Sequence, residues 1–236
     1  MNIHSRFLVH WTGKEFLEDS KKLGKLSDST IDGYIKKLTS VVRNGLYMGT
    51  DEEIIHGKNA KYIKVTFPKV CFTEIKLSQA RTHAKKYGYL GIGFHRDFIL
   101  SHYGNPVFYV QNGKGGIVVE NLDLLRRYVH RDSEGRKQIE VILGFLKNMS
   151  EEDDKKLLYY DEMEWRILHS DLLERKGITA KKGEKLVFIF SPQDIKIIVF
   201  PSRRVMRRAL EDDWLNGNLF RKNMPTLTTI SDCSSF

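Results

Sequence analysis

Residues 159–168 read Tyr159-Tyr160-Asp161-Glu162-Met163-Glu164-Trp165-Arg166-Ile167-Leu168. From Glu162 onward, charged and apolar residues alternate, as they do in a β-strand, where successive side chains point to opposite faces. That reading places Glu162, Glu164 and Arg166 on one face. Two carboxylates stacked there repel, and each raises the other's pKa unless a cation or hydrogen-bond donor relieves them. Two readings compete: an exposed strand face with Arg166 as counter-ion, or a working pair. In a working pair, one carboxylate activates a nucleophile while the other holds sugar hydroxyls and stabilises an oxocarbenium-like centre.

The flanking sequence surrounds this strand with others. Phe7–Trp11, closed by Thr12-Gly13-Lys14, and Tyr62–Phe67, Val70–Glu74, Leu90–Phe94, Lys185–Phe190 and Ile195–Phe200 read as strands. A helical pattern runs from Lys14 to Asn44, where Ile31, Tyr34, Ile35, Leu38, Val41 and Val42 form one apolar face before Asn44-Gly45 stops it. Shorter helices are predicted over Ser78–Tyr87 and Arg96–Tyr103. Residues 47–61 read as a polar surface loop. Pro106–Val110 and Gly116–Glu120 read as a hairpin across Asn112-Gly113-Lys114-Gly115. An all-helical insert follows over 121–156, with Ile139, Ile142, Leu143 and Leu146 as its apolar stripe and the charge run 150–156 at its end. The expected fold is α+β: a single domain over 1–222 with a mixed sheet, flanking helices and that insert, then a loose Thr/Ser-rich tail over 223–236.

Composition bounds the function. With 236 residues and 41% hydrophobic content the chain buries a core, so wholesale disorder is excluded. Thirty-nine Lys and Arg against 30 Asp and Glu give +9, which suits a polyanionic partner or serves solubility alone. Two cysteines, Cys71 and Cys233, are too few for a disulfide framework or a Cys-rich zinc module. No apolar run is long enough to cross a bilayer, and a cytoplasmic protein is expected. Gly88-Tyr89-Leu90-Gly91-Ile92-Gly93 lacks the spacing of a phosphate-binding loop and reads as close backbone approach within a strand. His83, His95 and His102 have no metal-ligand spacing, so no metal is expected.

Other polar residues sit on predicted strands. His10 and Thr12, two apart in an apolar stretch, suit hydrogen bonding to a ribose or an amide. Phe72-Thr73-Glu74 adds an aromatic face that suits stacking of a planar ring. Arg203, Arg204, Arg207 and Arg208 follow the helix start Pro201-Ser202 at a spacing that puts all four on one face. They read either as a grip on nucleic-acid phosphates or as a solubilising stripe balanced by Glu211-Asp212-Asp213.

In that order, the blocks Phe7–Gly13, Val70–Ile75, Tyr87–Phe94, Pro106–Val110 and Tyr160–Arg166 resemble the AbiGi-type abortive phage-resistance family, whose members are often labelled antitoxins. The arrangement also resembles ADP-ribosyltransferases, including DarT-like toxins that modify nucleic acid. That second likeness implies an ADP-ribosyltransferase-like core using NAD as substrate, with His10 and Thr12 on NAD and Phe72 and Thr73 against nicotinamide. Glu164 would be the catalytic carboxylate and Glu162 would act on the incoming nucleophile. RNA would be the target in phage defence, and an antitoxin could neutralise the enzyme. The middle strand has no Ser-Thr-Ser run, and Phe72 stands where one subclass carries Tyr. The alternative is a non-catalytic antitoxin or nucleic-acid-binding partner on the same scaffold. A metal-dependent nuclease using Glu162 and Glu164 comes last, for want of further ligands.

Overall fold

The computed structural model describes residues 6–19, 23, 25–56, 62–74, 76–111, 117–130, 133–149 and 162–233. The expected turn at 112–115, the charge run 150–156 and Tyr159–Asp161 lie outside them.

Strand β1 (Phe7–Thr12) is the first element among the described residues. The predicted helix behind it is shorter than its pattern: a 3-10 turn over Lys14–Phe16 comes first, and α1 runs from Asp28 to Asn44. The hydroxyl of Ser27 accepts the Thr30 N–H and so caps α1, whose six predicted apolar residues are all buried. Then come β2 (Leu46–Tyr47), β3 (Glu52–His56), β4 (Tyr62–Thr66) and β5 (Lys69–Thr73). α2 (Ala80–Tyr87), β6 (Leu90–His95), α3 (Arg96–Ser101), β7 (Asn105–Pro106) and β8 (Phe108–Val110) follow. Two helices, α4 (Ile117–Tyr128) and α5 (Glu134–Gly144), precede β9 (Leu146–Asn148) and β10 (Glu164–Leu168). The C-terminal part holds α6 (Asp171–Arg175), β11 (Thr179–Lys182), β12 (Lys185–Phe188), β13 (Ile195–Phe200), α7 (Arg203–Glu211), α8 (Asp213–Leu215), β14 (Thr226–Thr229) and α9 (Ile230–Cys233).

Seven strands form the central sheet in the order β14-β13-β6-β1-β5-β10-β7. Every pairing is antiparallel except β13 with β14, which makes the sheet mixed. Close packing accounts for the glycines around β6. A Cβ on Gly93 would lie 2.3 Å from Ile197 Cγ2, and one on Gly88, at φ 114°, would lie 2.2 Å from the Thr12 carbonyl oxygen. Among the described residues there are three smaller sheets: β11-β12-β2, β3-β4, and the parallel pair β8-β9. The β3-β4 hairpin, β8, β9, α4 and α5 share a separate small core of Ile55, Ile63, Val65, Val110, Val119, Leu143 and Leu146.

Four sequence expectations fail here, each because distant packing overrides a local signal. Residues 52–56 are strand β3 rather than loop, with Ile55 fully buried against the small core. The hairpin does not form: Ile117-Val118-Val119 opens helix α4, and β8 pairs in parallel with β9. Leu146 therefore lies on a strand and is not part of the helical stripe. Residues 226–233 are not loose, since β14 extends the central sheet and α9 buries Ile230 and Cys233. Ile230 is 1% exposed, so Ile230→Ala should cost roughly 2–5 kcal/mol in urea unfolding. A change within about 0.5 kcal/mol would mean that the segment contributes no packing.

Candidate functional site

β10 carries Glu164 and Arg166 on one face, as alternation requires. Glu162 is not on the strand. Met163 adopts φ 44° and turns the chain just before β10 begins, and its carbonyl accepts the Glu74 N–H at 3.1 Å. The Glu162 side chain nonetheless reaches the other two through Lys147 of β9, which donates to Glu162 Oε2 at 2.7 Å and to Glu164 Oε2 at 2.6 Å. Arg166 Nε donates to Glu164 Oε1 at 2.6 Å. Both Glu164 oxygens therefore hold a protein cation.

The network continues in both directions. Arg166 is 1% exposed. Its Nη1 donates to the Gly144 and Leu146 carbonyls, and its Nη2 donates to Glu53 Oε1 at 2.5 Å. Lys69 closes that end on Glu53 Oε2 at 3.1 Å. At the other end, Lys86 and the Tyr87 hydroxyl, both on α2, donate to Glu162 Oε1 at 2.7 Å each. Seven charges alternate through partly dry protein with no carboxylate left unpaired.

Titration follows this geometry. Burial alone would raise the pKa of Glu164, but the adjoining Arg166 and Lys147 bring it down to about 2. Glu162 is also lowered: its burial opposes this, and Lys147, Lys86 and Tyr87 outweigh it. Burial works against the Lys147 ammonium, yet Glu164 and Glu162 raise its pKa. The Tyr87 phenol is raised by burial and by Glu162. The cations and donors that would relieve a stacked carboxylate pair are present, and both glutamates lie below the ordinary carboxylate value.

An open cleft of about 920 Å³ borders this network where β5 ends and β10 begins. Glu74, Arg96, His83, Tyr109, Glu164 and Trp165 line it. Glu74 is buried and fixed on both oxygens, by Arg96 Nη1 and by Trp165 Nε1, each at 2.9 Å. The Tyr109 hydroxyl accepts the Glu164 N–H at 2.9 Å, and burial pushes its pKa up to about 12.

The remaining expected site residues are not gathered here. Val9 pairs with Thr73, and Thr73 with Glu164, so those three side chains share a face of the sheet. His10, Phe72 and Trp165 lie on the other face. The expected cleft joining His10 and Phe72 to Glu164 is therefore not formed, because the sheet stands between them. His10 Nδ1 donates to the Cys71 carbonyl at 2.9 Å, and burial lowers its pKa. Phe72 packs edge-on against Phe94 and Phe188 in the main core. Thr12 shares the His10 face of β1. Thr73, on the Glu164 face, spends its hydroxyl on the Val9 carbonyl at 3.1 Å. No group of three or more His, Cys, Asp or Glu among the described residues is arranged to hold a metal ion.

The arginines of α7 share an exposed face, with Val205 and Ala209 turned inward. Their counter-ions are not Glu211-Asp212-Asp213. Arg203 holds Asp232 at 2.9 Å, Arg204 holds Asp28 at 2.6 Å and the Leu26 carbonyl, and Arg208 lies 3.7 Å from Asp32. Arg204 thus ties α7 to the start of α1. Sequence reasoning missed Lys147, Glu53, Lys86 and Tyr87. The one sequence signal for Glu53 was its place beside Ile54-Ile55, and Lys147 fell inside the expected helical insert.

These features define a protein with a shielded, fully paired charge cluster beside an open cleft. The family model described as "putative abortive phage resistance protein AbiGi, antitoxin" matches residues 47–201, well over half of the chain. The chain belongs to the AbiGi family. No curated protein and no solved structure gives a significant match. The matched region contains the whole network and the cleft but excludes His10 and Thr12. No helix among the described residues is long and apolar enough to cross a membrane.

Replacing Glu164 with Gln should leave Arg166 and Lys147 short of a counter-charge and cost about 3–5 kcal/mol in urea unfolding. A depressed carboxylate pKa stabilises the fold above the ordinary value of 4.5, and that contribution is lost as pH falls toward 2. Wild-type stability should drop by a few kcal/mol over that interval, and Glu164→Gln should lack this component. On α7, Arg204→Ala should cost up to about 1 kcal/mol, and Arg207→Ala should stay within about 0.5 kcal/mol. Equal losses would contradict the bracing role of Arg204.

Proposed function

We propose that this chain acts by binding, as the antitoxin of an abortive-infection system, and transfers no chemical group. The occupancy of the carboxylates carries this reading. A catalytic Glu164 would have to offer an oxygen to a substrate hydroxyl, but Arg166 and Lys147 hold both of its oxygens at 2.6 Å. To release either cation would strand a charge in a shielded site, which is costly. Glu162, the other candidate, already accepts from Lys147, Lys86 and Tyr87. The partner of such a protein is a toxin. The family description supports this, and the +9 charge would steer the chain toward an acidic surface.

One observation favours a second reading, an ADP-ribosyltransferase that modifies RNA: Glu164 borders the 920 Å³ cleft. In that reading NAD would enter the cleft and Glu164 would stabilise the developing cation as nicotinamide leaves. His10 and Phe72 could take no part from across the sheet. Purified protein incubated with labelled NAD and separate pools of RNA, DNA and protein distinguishes the two. The binding reading expects no label in any pool and no free nicotinamide. Label that Glu164→Gln abolishes in folded protein would overturn it. Its positive side is read in cells: co-expression of this chain with the toxin of its own system should restore growth.

A further inference from the structure

α4 is apolar on the wrong side as well as the right one. Its inner face, with Val119 and Leu122, packs into the small core. At 100° per residue, Ile117, Leu124, Leu125 and Tyr128 lie around the opposite face with Val118 at its margin, and Asn121 is the one polar residue among them. These five apolar side chains are 48–85% exposed. No packing within the described chain accounts for them, and soluble helices ordinarily fill such positions with charged residues.

We infer that the outer face of α4 is the surface by which this chain holds its toxin, and that the toxin presents an apolar groove that receives the helix. The inference rests on the antitoxin reading. Area argues for the groove. At about 150–200 Å² for a fully exposed large side chain, the five present roughly 500 Å², the scale at which an apolar patch marks an interface. Two copies meeting face to face through α4 alone would bury only about 1,000 Å² in total, below the range of stable interfaces. A groove also covers the flanks of the helix and so reaches a standard interface from the same helix. One flank of α4, between its inner and outer faces, carries the Asp123–Arg127 pair, which suits a polar rim.

The test is the double variant Ile117→Glu/Tyr128→Lys, which breaks the stripe at its two most exposed positions and leaves the net charge at +9. Both sites face solvent, so circular dichroism and the urea midpoint should match wild type. The probe is the purified toxin of the same abortive-infection system, measured for binding in vitro and for growth rescue in cells. Wild type should bind and rescue. The double variant should bind on the order of 100-fold more weakly, as expected when central apolar anchors are lost, and should fail to rescue, while Tyr128→Phe should behave as wild type. If wild type rescues and the folded double variant binds within threefold of it, the α4 surface is wrong and the antitoxin reading stands. If wild type neither binds nor rescues, both fall. A wild-type dimer in solution that the double variant converts to monomer would assign the face to a second copy and overturn the inference.

Discussion

Arg166 is a guanidinium with almost no contact with water, and its neighbours are arranged around that charge. A buried cation is tolerable only when paired and fully hydrogen-bonded. Four elements meet that need: β10 supplies Glu164, β3 supplies Glu53, and the end of α5 with the start of β9 supplies the Gly144 and Leu146 carbonyls. The charge thus ties the central sheet to the small lobe of β3, β4, β8, β9, α4 and α5. Lys147 extends the tie to Glu162, and Glu162 extends it to α2. A polar network of this kind adds little to net stability compared with an apolar core, but its directional bonds fix how the two cores meet.

Much of the main body was legible where its signals are local. The three-and-four spacing of Ile31 through Val42 and the continuous apolar run Ile195–Phe200 each specify one element without outside help. So does Ser202, which caps α7 by accepting the Val205 N–H. Where the reading failed, the deciding contact was remote. Thr226–Thr229 looks like loose tail until β13 supplies a parallel edge for it. Ile117-Val118-Val119 has strong β propensity, yet packing against Leu143 and the hairpin holds it in a helix.

The site was legible residue by residue and not as a constellation. Alternation tells which face of its own strand a side chain takes, so Glu164 was set with Arg166 and His10 with Thr12. It says nothing of how one strand's faces match another's. That depends on register, and the register of β1, β5 and β10 puts His10 and Phe72 behind the sheet from Glu164. Glu162 escaped the alternation rule through the left-handed turn at Met163, a conformation that no simple residue preference announces. Lys147, the hinge of the whole cluster, lies 15 and 17 residues before the carboxylates it joins, and nothing in its local pattern distinguishes it from a solvated lysine.

If the cluster is architecture and the chain works by binding, the charges can be replaced while the function is kept. The direct measurement is growth rescue by the triple variant Lys147→Met/Glu164→Met/Arg166→Met, normalised to folded protein. It removes the buried core of the network as a unit and leaves Glu162 with Lys86 and Tyr87, and Glu53 with Lys69. Buried ion pairs are often replaceable by apolar side chains of similar volume without loss of stability. The account expects the folded variant to neutralise the toxin as wild type does. A variant that folds, binds the toxin and yet fails to neutralise it would contradict the account and return Glu164 to a chemical role.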